Sequence, residues 1–354
     1  MKPEHKQYIL HNINQKSVKG IAQELGIKQR KIRKFLQRHR QKKRQVDAET
    51  QSKTILKKST ILVSLILIIA LGFAVYINSI NGEFVWDDEH LIDRNLYIKD
   101  WSHIHKIFTK DIRAGAGREG HCYRPFQMLT YMFDYSLWRL DVRGYHLTNI
   151  LLHILVALSI FWLINILYDN WLLSLFTGML FVAHPIHTEA VAYISGRADS
   201  LAALFMLLCL ILYIKQIRSK GLSLYLLALL SYVLALLSRE SSLIIPVLLI
   251  LYHYCFKQRL KLGKLLPILG ISFIYIVLRL TVLKSLLLNL PYSATLWQRT
   301  PGFFVAITSY LRLLFLPFNL HMEYGDITFG LTDPPAIGGL VILVSALFYA
   351  FKKR

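Results

Sequence analysis

The chain has only three cysteines in 354 residues, at positions 122, 209 and 255. They are odd in number and far apart, which excludes a disulfide framework, and no CxxC pair offers a cysteine zinc site. No HExxH run occurs, so the usual helical zinc-hydrolase pattern is excluded as well. Acids are also scarce, with 21 Asp and Glu against 42 Lys and Arg, for a formal net charge of +21. Such an excess invites a nucleic-acid reading, so its distribution matters more than its size. Residues 1–58 hold seventeen Lys and Arg against four acids (Glu4, Glu24, Asp47, Glu49), so the excess sits in a head.

What the rest of the chain has is apolar sequence. Hydrophobic residues make up 54%, and mean hydropathy is +0.41. Several runs approach the roughly 20 residues that cross a hydrocarbon core of about 30 Å. These features predict an all-α polytopic membrane protein. The first run, 61–80, follows Lys53, Lys57 and Lys58 and lies too deep for a cleavable signal, so it reads as an uncleaved anchor. Cytoplasmic loops collect Lys and Arg, which puts the head inside and the first loop, 81–143, outside. Further spans are expected at 144–168, 171–183, 200–214, 222–237, 243–256, 265–283 and 336–351. On that count the basic loops at 215–220 and 257–264 also fall inside, and 284–300 falls outside. Residues 303–316 are short for a crossing, so eight full spans are expected, or nine if that segment crosses.

Residues 1–45 carry the spacing of a helix-turn-helix. Small Ala22 lets two helices approach, Gly26 supplies the turn, and Ile27, Ile32 and Leu36 cover a small core. Lys28, Arg30, Lys31, Arg33 and Lys34 then face outward, toward anionic headgroups or, as the minor candidate, a nucleic acid. Residues 46–59 read as a polar linker, and 60–354 as the membrane domain.

Chemistry concentrates in the expected external segments. Asp87, Asp88 and Glu89 follow the first span by a few residues, beside Phe84 and Trp86, which places carboxylates at headgroup level. One of them is suited to act as general base on a hydroxyl while its neighbours tune its pKa. A second cluster holds His184, His187, Glu189, Arg197 and Asp199 within sixteen positions, dense for a segment between two spans. Two histidines three apart share a helix face that suits a phosphate or a metal, with Glu189 and Asp199 holding ring tautomers. A third set is Arg124 with His146, Asn149 and His153, the last three recurring at helical spacing on one side of a span. Arg124 suits a bidentate phosphate contact, or a loop pin to Asp134. Arg239, Glu240 and Arg279 repeat the theme.

Five strings carry a family resemblance: FVWDDEHLI at 84–92, YRPFQMLTYMFDYSLW at 123–138, GYHLTNILLH at 144–153, HPIHTEAVAYISGRADSLAALF at 184–205 and YLRLLFLPFNLHMEY at 310–324. Together they resemble, in the right order, the membrane half of the transmembrane and tetratricopeptide-repeat O-mannosyltransferases and their bacterial relatives. The resemblance implies a GT-C glycosyltransferase with an acidic motif in its first extracytoplasmic loop. Its donor would be a polyprenyl- or dolichyl-phosphate sugar, and its acceptor a hydroxyl of a protein or glycan. Asp87 and Asp88 match the acidic pair and Glu89 its follower, while Arg124, His184, His187, Glu189, Arg197 and Asp199 match motif positions. The expected reaction is a single inverting displacement, with Asp87 or Asp88 as base and the cations on the departing lipid phosphate. A divalent metal is compatible with it and not required, and no other cofactor is implied. The chain departs from the pattern in ending thirty residues after Tyr324, where the relatives carry a repeat array, and in adding the basic head. Its compactness points to a bacterial inner membrane, or to the endoplasmic reticulum if eukaryotic, with the N-terminus cytoplasmic. Rival readings are a membrane-tethered DNA-binding regulator, a transporter and a non-catalytic scaffold.

Overall fold

A computed structural model describes all residues except 1–2, 14–15, 119, 121, 283–294, 322–328 and 353–354. No β-strand occurs among the described residues. The chain folds into two compact units, 1–64 and 65–354.

The first unit contains α1 (Pro3–Asn12), α2 (Val18–Leu25) and the start of α3 (Gln29–Tyr76). Ile9, Ile21, Ala22 and Ile32 form its buried core, with Phe35 and Leu36 packed against them. Ser17 caps α2 by accepting from the Gly20 N–H at 3.2 Å. Gly26 ends α2 at φ 64, the left-handed conformation that glycine adopts without steric cost. Residues 46–59, expected as a linker, lie within α3. Their Gln, Lys, Glu and Ala content gives ample helix propensity.

The second unit continues with α4 (Ile104–Thr109), α5 (Pro125–Trp138), α6 (Val142–Tyr168), α7 (Trp171–Ala183), α8 (Thr188–Ala192), α9 (Arg197–Ser219), α10 (Leu222–Ser238), α11 (Ile245–Cys255), α12 (Leu262–Val282), α13 (Leu296–Phe315) and α14 (Pro334–Lys352). Local signals set the breaks. Asp141 caps α6, Asp169 closes it at φ 47, and Asn170 caps α7 by accepting from Leu173 N–H at 3.1 Å, forming the tight turn that Asp169-Asn170 predicts. Pro185 stops α7, and Pro246 opens α11 after the 3-10 turn Glu240–Ile244.

Among the described residues, four segments are long and apolar enough to cross a membrane: Ser59–Asn81, Val142–Tyr168, Ile194–Ser219 and Leu262–Thr281. A fifth candidate is the pair Trp171–Ala183 and Pro185–Ala192, bent by 51° at its break. Leu62, Val63 and Ile66 of α3 and Phe273 and Ile274 of α12 are exposed, an arrangement stable only where lipid replaces water. The protein is an all-α polytopic membrane protein. Among the described residues there are fewer clear crossings by length than the apolar runs suggest, because Leu222–Ser238 and Glu240–Cys255 are cut short by turns. The expected external segment 284–300 lies mostly outside the described residues, as do 322–324 of the last motif string.

Buried cores among the described residues hold this unit. Leu91, Ile92, Ile98, Ile107 and Ile112 of the first loop bury against Met128, Tyr131, Met132, Tyr145 and Ile194. A second core joins α9 to α12 through Cys209, Tyr213, Tyr232, Leu236, Leu249, Ile268 and Tyr275. The first-loop core positions the chemistry.

Candidate active site

The acidic run begins where Ser59–Asn81 ends. Trp86 takes φ 55, uncommon for a bulky residue and costing of order 1–3 kcal/mol. The turn is held by Asp88, whose N–H donates to Val85 O at 3.0 Å while its Oδ2 accepts from Val85 N–H at 3.1 Å. Its Oδ1 accepts from the N–H of Ser195 at 2.8 Å and from the Ser195 hydroxyl at 2.5 Å. Asp88 is fully buried. Burial pushes its carboxyl above the ordinary range, against the hydrogen bonds from Ser195 and Val85 that favour the anion.

Asp87 differs from its neighbour. Its side chain is 45% exposed, Oδ1 pairs with Arg113 at 3.0 Å, and its N–H donates to the Tyr193 hydroxyl at 3.3 Å. Glu89 is turned aside into an ion pair with Arg94.

Val85 and Tyr193 line a cavity of about 680 Å³. Pro185, Ile186 and Glu189 line it from the second motif cluster, and Tyr310, Leu313 and His321 from the last. Three of the five strings, distant in sequence, therefore share one wall. The His184 ring ties two of them: Nδ1 accepts from Ile186 N–H at 3.2 Å, and Nε2 lies 3.0 Å from Leu314 O. That pattern suits the Nε2–H tautomer. His187 packs tilted against Phe181 at 4.2 Å and neighbours His153 and His184 at 5.3 and 6.0 Å between ring centroids. Among the described residues no three His, Cys, Asp or Glu side chains converge on a point that would hold a metal.

The cations divide into two kinds. Arg197 is fully buried, and its guanidinium is spent: Nε donates to Asn149 Oδ1 at 2.7 Å, one terminal nitrogen to Thr130 at 3.3 Å, and the other to Tyr145 O at 3.1 Å while pairing with Asp134 Oδ2 at 2.6 Å. The Tyr131 ring covers it at 4.6 Å. Asp134 is thus the partner of Arg197 and not of Arg124. Arg124 instead spans to Glu240, with nitrogens 3.3 and 3.4 Å from the two carboxylate oxygens. Arg279 reaches the same Glu240 at 3.4 Å, and Arg239 pairs with Asp199. His146 is buried with neither ring nitrogen bonded among the described residues, its Nε2 2.8 Å from where a Cβ on Gly82 would stand.

The sequence did not single out Arg113, Ser195 or Tyr193 for these contacts. Ser195 and Tyr193 lie within the most distinctive string and were readable as neighbours of the HPIHTE cluster. Arg113 carries no local signal, because its pairing with Asp87 spans 26 positions of the first loop.

No family model matches the chain. Human protein O-mannosyl-transferase TMTC2 is 37% identical over 158 residues, which is 44% of this chain and 19% of that protein. Protein O-mannosyl-transferase F38B6.6 of Caenorhabditis elegans is 33% identical over 159 residues, 43% of this chain and 23% of the relative. Human TMTC1 is 38% identical over 143 residues, 39% of this chain and 16% of the relative. The chain therefore spans less than a quarter of the length of these curated relatives. Over somewhat less than half of itself, it is related in sequence to protein O-mannosyl-transferases.

Proposed function

We propose that the protein is an inverting GT-C glycosyltransferase that moves a hexose, with mannose the first candidate, from a polyprenyl- or dolichyl-phosphate donor to a hydroxyl acceptor on the extracytoplasmic face. A protein Ser or Thr is the acceptor that the names of the relatives favour. The observation that carries the reading is the half-exposed Asp87 beside a cavity lined from three motif strings, at the end of an apolar span.

Asp87 is the general base. It takes the proton of the acceptor hydroxyl as that oxygen bonds to the anomeric carbon, and the bond from that carbon to the lipid phosphate oxygen breaks with its electron pair. The phosphate leaves as an anion, so no acid need protonate it. Arg124, Arg239 and Arg279, held by Glu240 and Asp199, are the cations suited to that charge. Asp88 acts through its neighbour: by pinning the turn to Ser195 it aims Asp87 at the acceptor. Arg113 holds Asp87 in orientation through its 3.0 Å contact. Glu189 and Tyr193 offer acceptor-side hydrogen bonds in the cavity.

Incubation of the purified protein with polyprenyl-phosphate mannose and a Ser/Thr peptide tests the reading. Released polyprenyl phosphate together with mannosylated peptide is the expected result. Absence of release across a panel of polyprenyl-phosphate hexoses and acceptors would refute it.

A further inference from the structure

The sugar-transfer reading leaves the head unused. Between Lys28 and Arg44 the chain carries ten Lys and Arg and no acid. Lys28, Gln29, Arg30, Lys31, Arg33 and Lys34 are exposed, while Ile32 between them is fully buried in the core of the first unit. Glu24 is already engaged, pairing with Lys16 at 2.6 Å and accepting from the Tyr8 hydroxyl at 2.6 Å. The first turns of α3 thus present cations and glutamine together, on a helix that follows α2 through the tight Gly26 turn.

We propose that this head binds double-stranded DNA through the first turns of α3, a second function independent of sugar transfer. A major groove about 12 Å wide admits one helix, and in a helix-turn-helix the N-terminal residues of the second helix reach the base edges. Arg30, Arg33 and Gln29 are the side-chain types that read guanine and adenine there, and Lys28, Lys31 and Lys34 are suited to flanking phosphates. An anionic bilayer is the weaker occupant. Headgroups attract any run of cations, whereas here Ile21, Ala22 and Ile32 build a core around the Gly26 turn that sets which cations of α3 face outward.

The test uses the full chain in nanodiscs of zwitterionic lipid, titrated with a short fluorescent DNA duplex at several salt concentrations. Binding is expected, with log affinity falling linearly against log salt. The triple variant K28Q/K31Q/K34Q should flatten that slope by about 2–3, while K53Q/K57Q/K58Q, which removes the same charge farther along the chain, should leave it near wild type. No duplex binding by the wild-type protein, or equal losses in both variants, would overturn the proposal. Because glycosyl transfer is assayed separately, failure here leaves that reading untouched.

Discussion

Ser195 gives both its backbone N–H and its hydroxyl to one oxygen of Asp88, at 2.8 and 2.5 Å, across 107 positions of sequence. This contact fastens the acidic turn to the segment before α9 and leaves the adjacent Asp87 the more accessible carboxylate. Ser195→Ala removes one donor to a buried carboxyl group. It should cost about 1.5–3 kcal/mol, seen as earlier thermal unfolding in detergent, together with slower transfer. Unchanged stability would detach Ser195 from the role.

The two aspartates should separate cleanly. Asp87→Asn keeps shape and leaves the buried contacts intact, so fold and donor KM should stay near wild type while kcat drops by about 10²–10⁴. In Asp88→Asn one amide N–H must face a backbone N–H, either that of Val85 or that of Ser195, because donors approach both carboxyl oxygens. Its main effect should be lost folded yield, by about 1–3 kcal/mol of stability. Unfolding in detergent together with steady-state kinetics distinguishes the pair, and a folded Asp87→Asn with full kcat would remove Asp87 as base.

The buried Asp88 also gives stability a pH dependence. Its folded-state pKa is raised by burial, so the folded chain holds a proton that the unfolded chain has already lost. Stability is therefore highest below the ordinary carboxylate range and declines as pH rises from there through the folded-state value. Denaturation of wild type against Asp88→Asn, from about pH 4 to about pH 7, should show that decline shrink in the variant. An equal slope in both would assign the dependence to other groups.

Much of this arrangement was legible in the sequence, and for definite reasons. The apolar runs near 144–168 and 200–214 became helices because nothing within them breaks the backbone ladder, and the Asp169-Asn170 turn was written in its own capping residues. Three of the motif strings, 84–92, 184–205 and 310–324, each contribute to one cavity wall. The fate of Arg197 was not legible. A guanidinium in an expected external loop looks like a ligand for phosphate, and only the fold reveals Asp134, Asn149 and Tyr145 around it. Such pairing has no periodicity, because its partners come from α5 and α6. Shortened helices were equally hidden, since hydropathy measures apolarity and not the 3-10 turn at Glu240–Ile244 that interrupts it.

Gly196 tests the close packing at the cavity. A Cβ there would stand 2.5 Å from the carbonyl oxygen of Glu189, a backbone atom that cannot swing away. Gly196→Ala should therefore shift the turn that carries Glu189 and the Asp88 partner Ser195. A loss of about 1–3 kcal/mol in stability is expected, with impaired transfer, whereas Gly263→Ala, which meets nothing within 4 Å, should be silent. Comparable behaviour of the two variants would contradict the geometry.

Arg197 and Asp134 offer the sharpest separation of structure from ligand binding. Arg197→Met leaves a buried carboxylate without its cation, which typically costs about 3–5 kcal/mol. Removing both charges in Arg197→Met with Asp134→Leu should restore part of that loss, because an apolar pair of similar volume needs no compensating partner. If Arg197 served the donor phosphate, the double variant would regain stability and still show a raised donor KM. With Arg197 enclosed by its own partners, the expected outcome is recovery of donor KM along with stability, while Arg124→Gln raises donor KM in a protein that remains folded. A donor KM that stays high in the double variant at full stability would return Arg197 to the site.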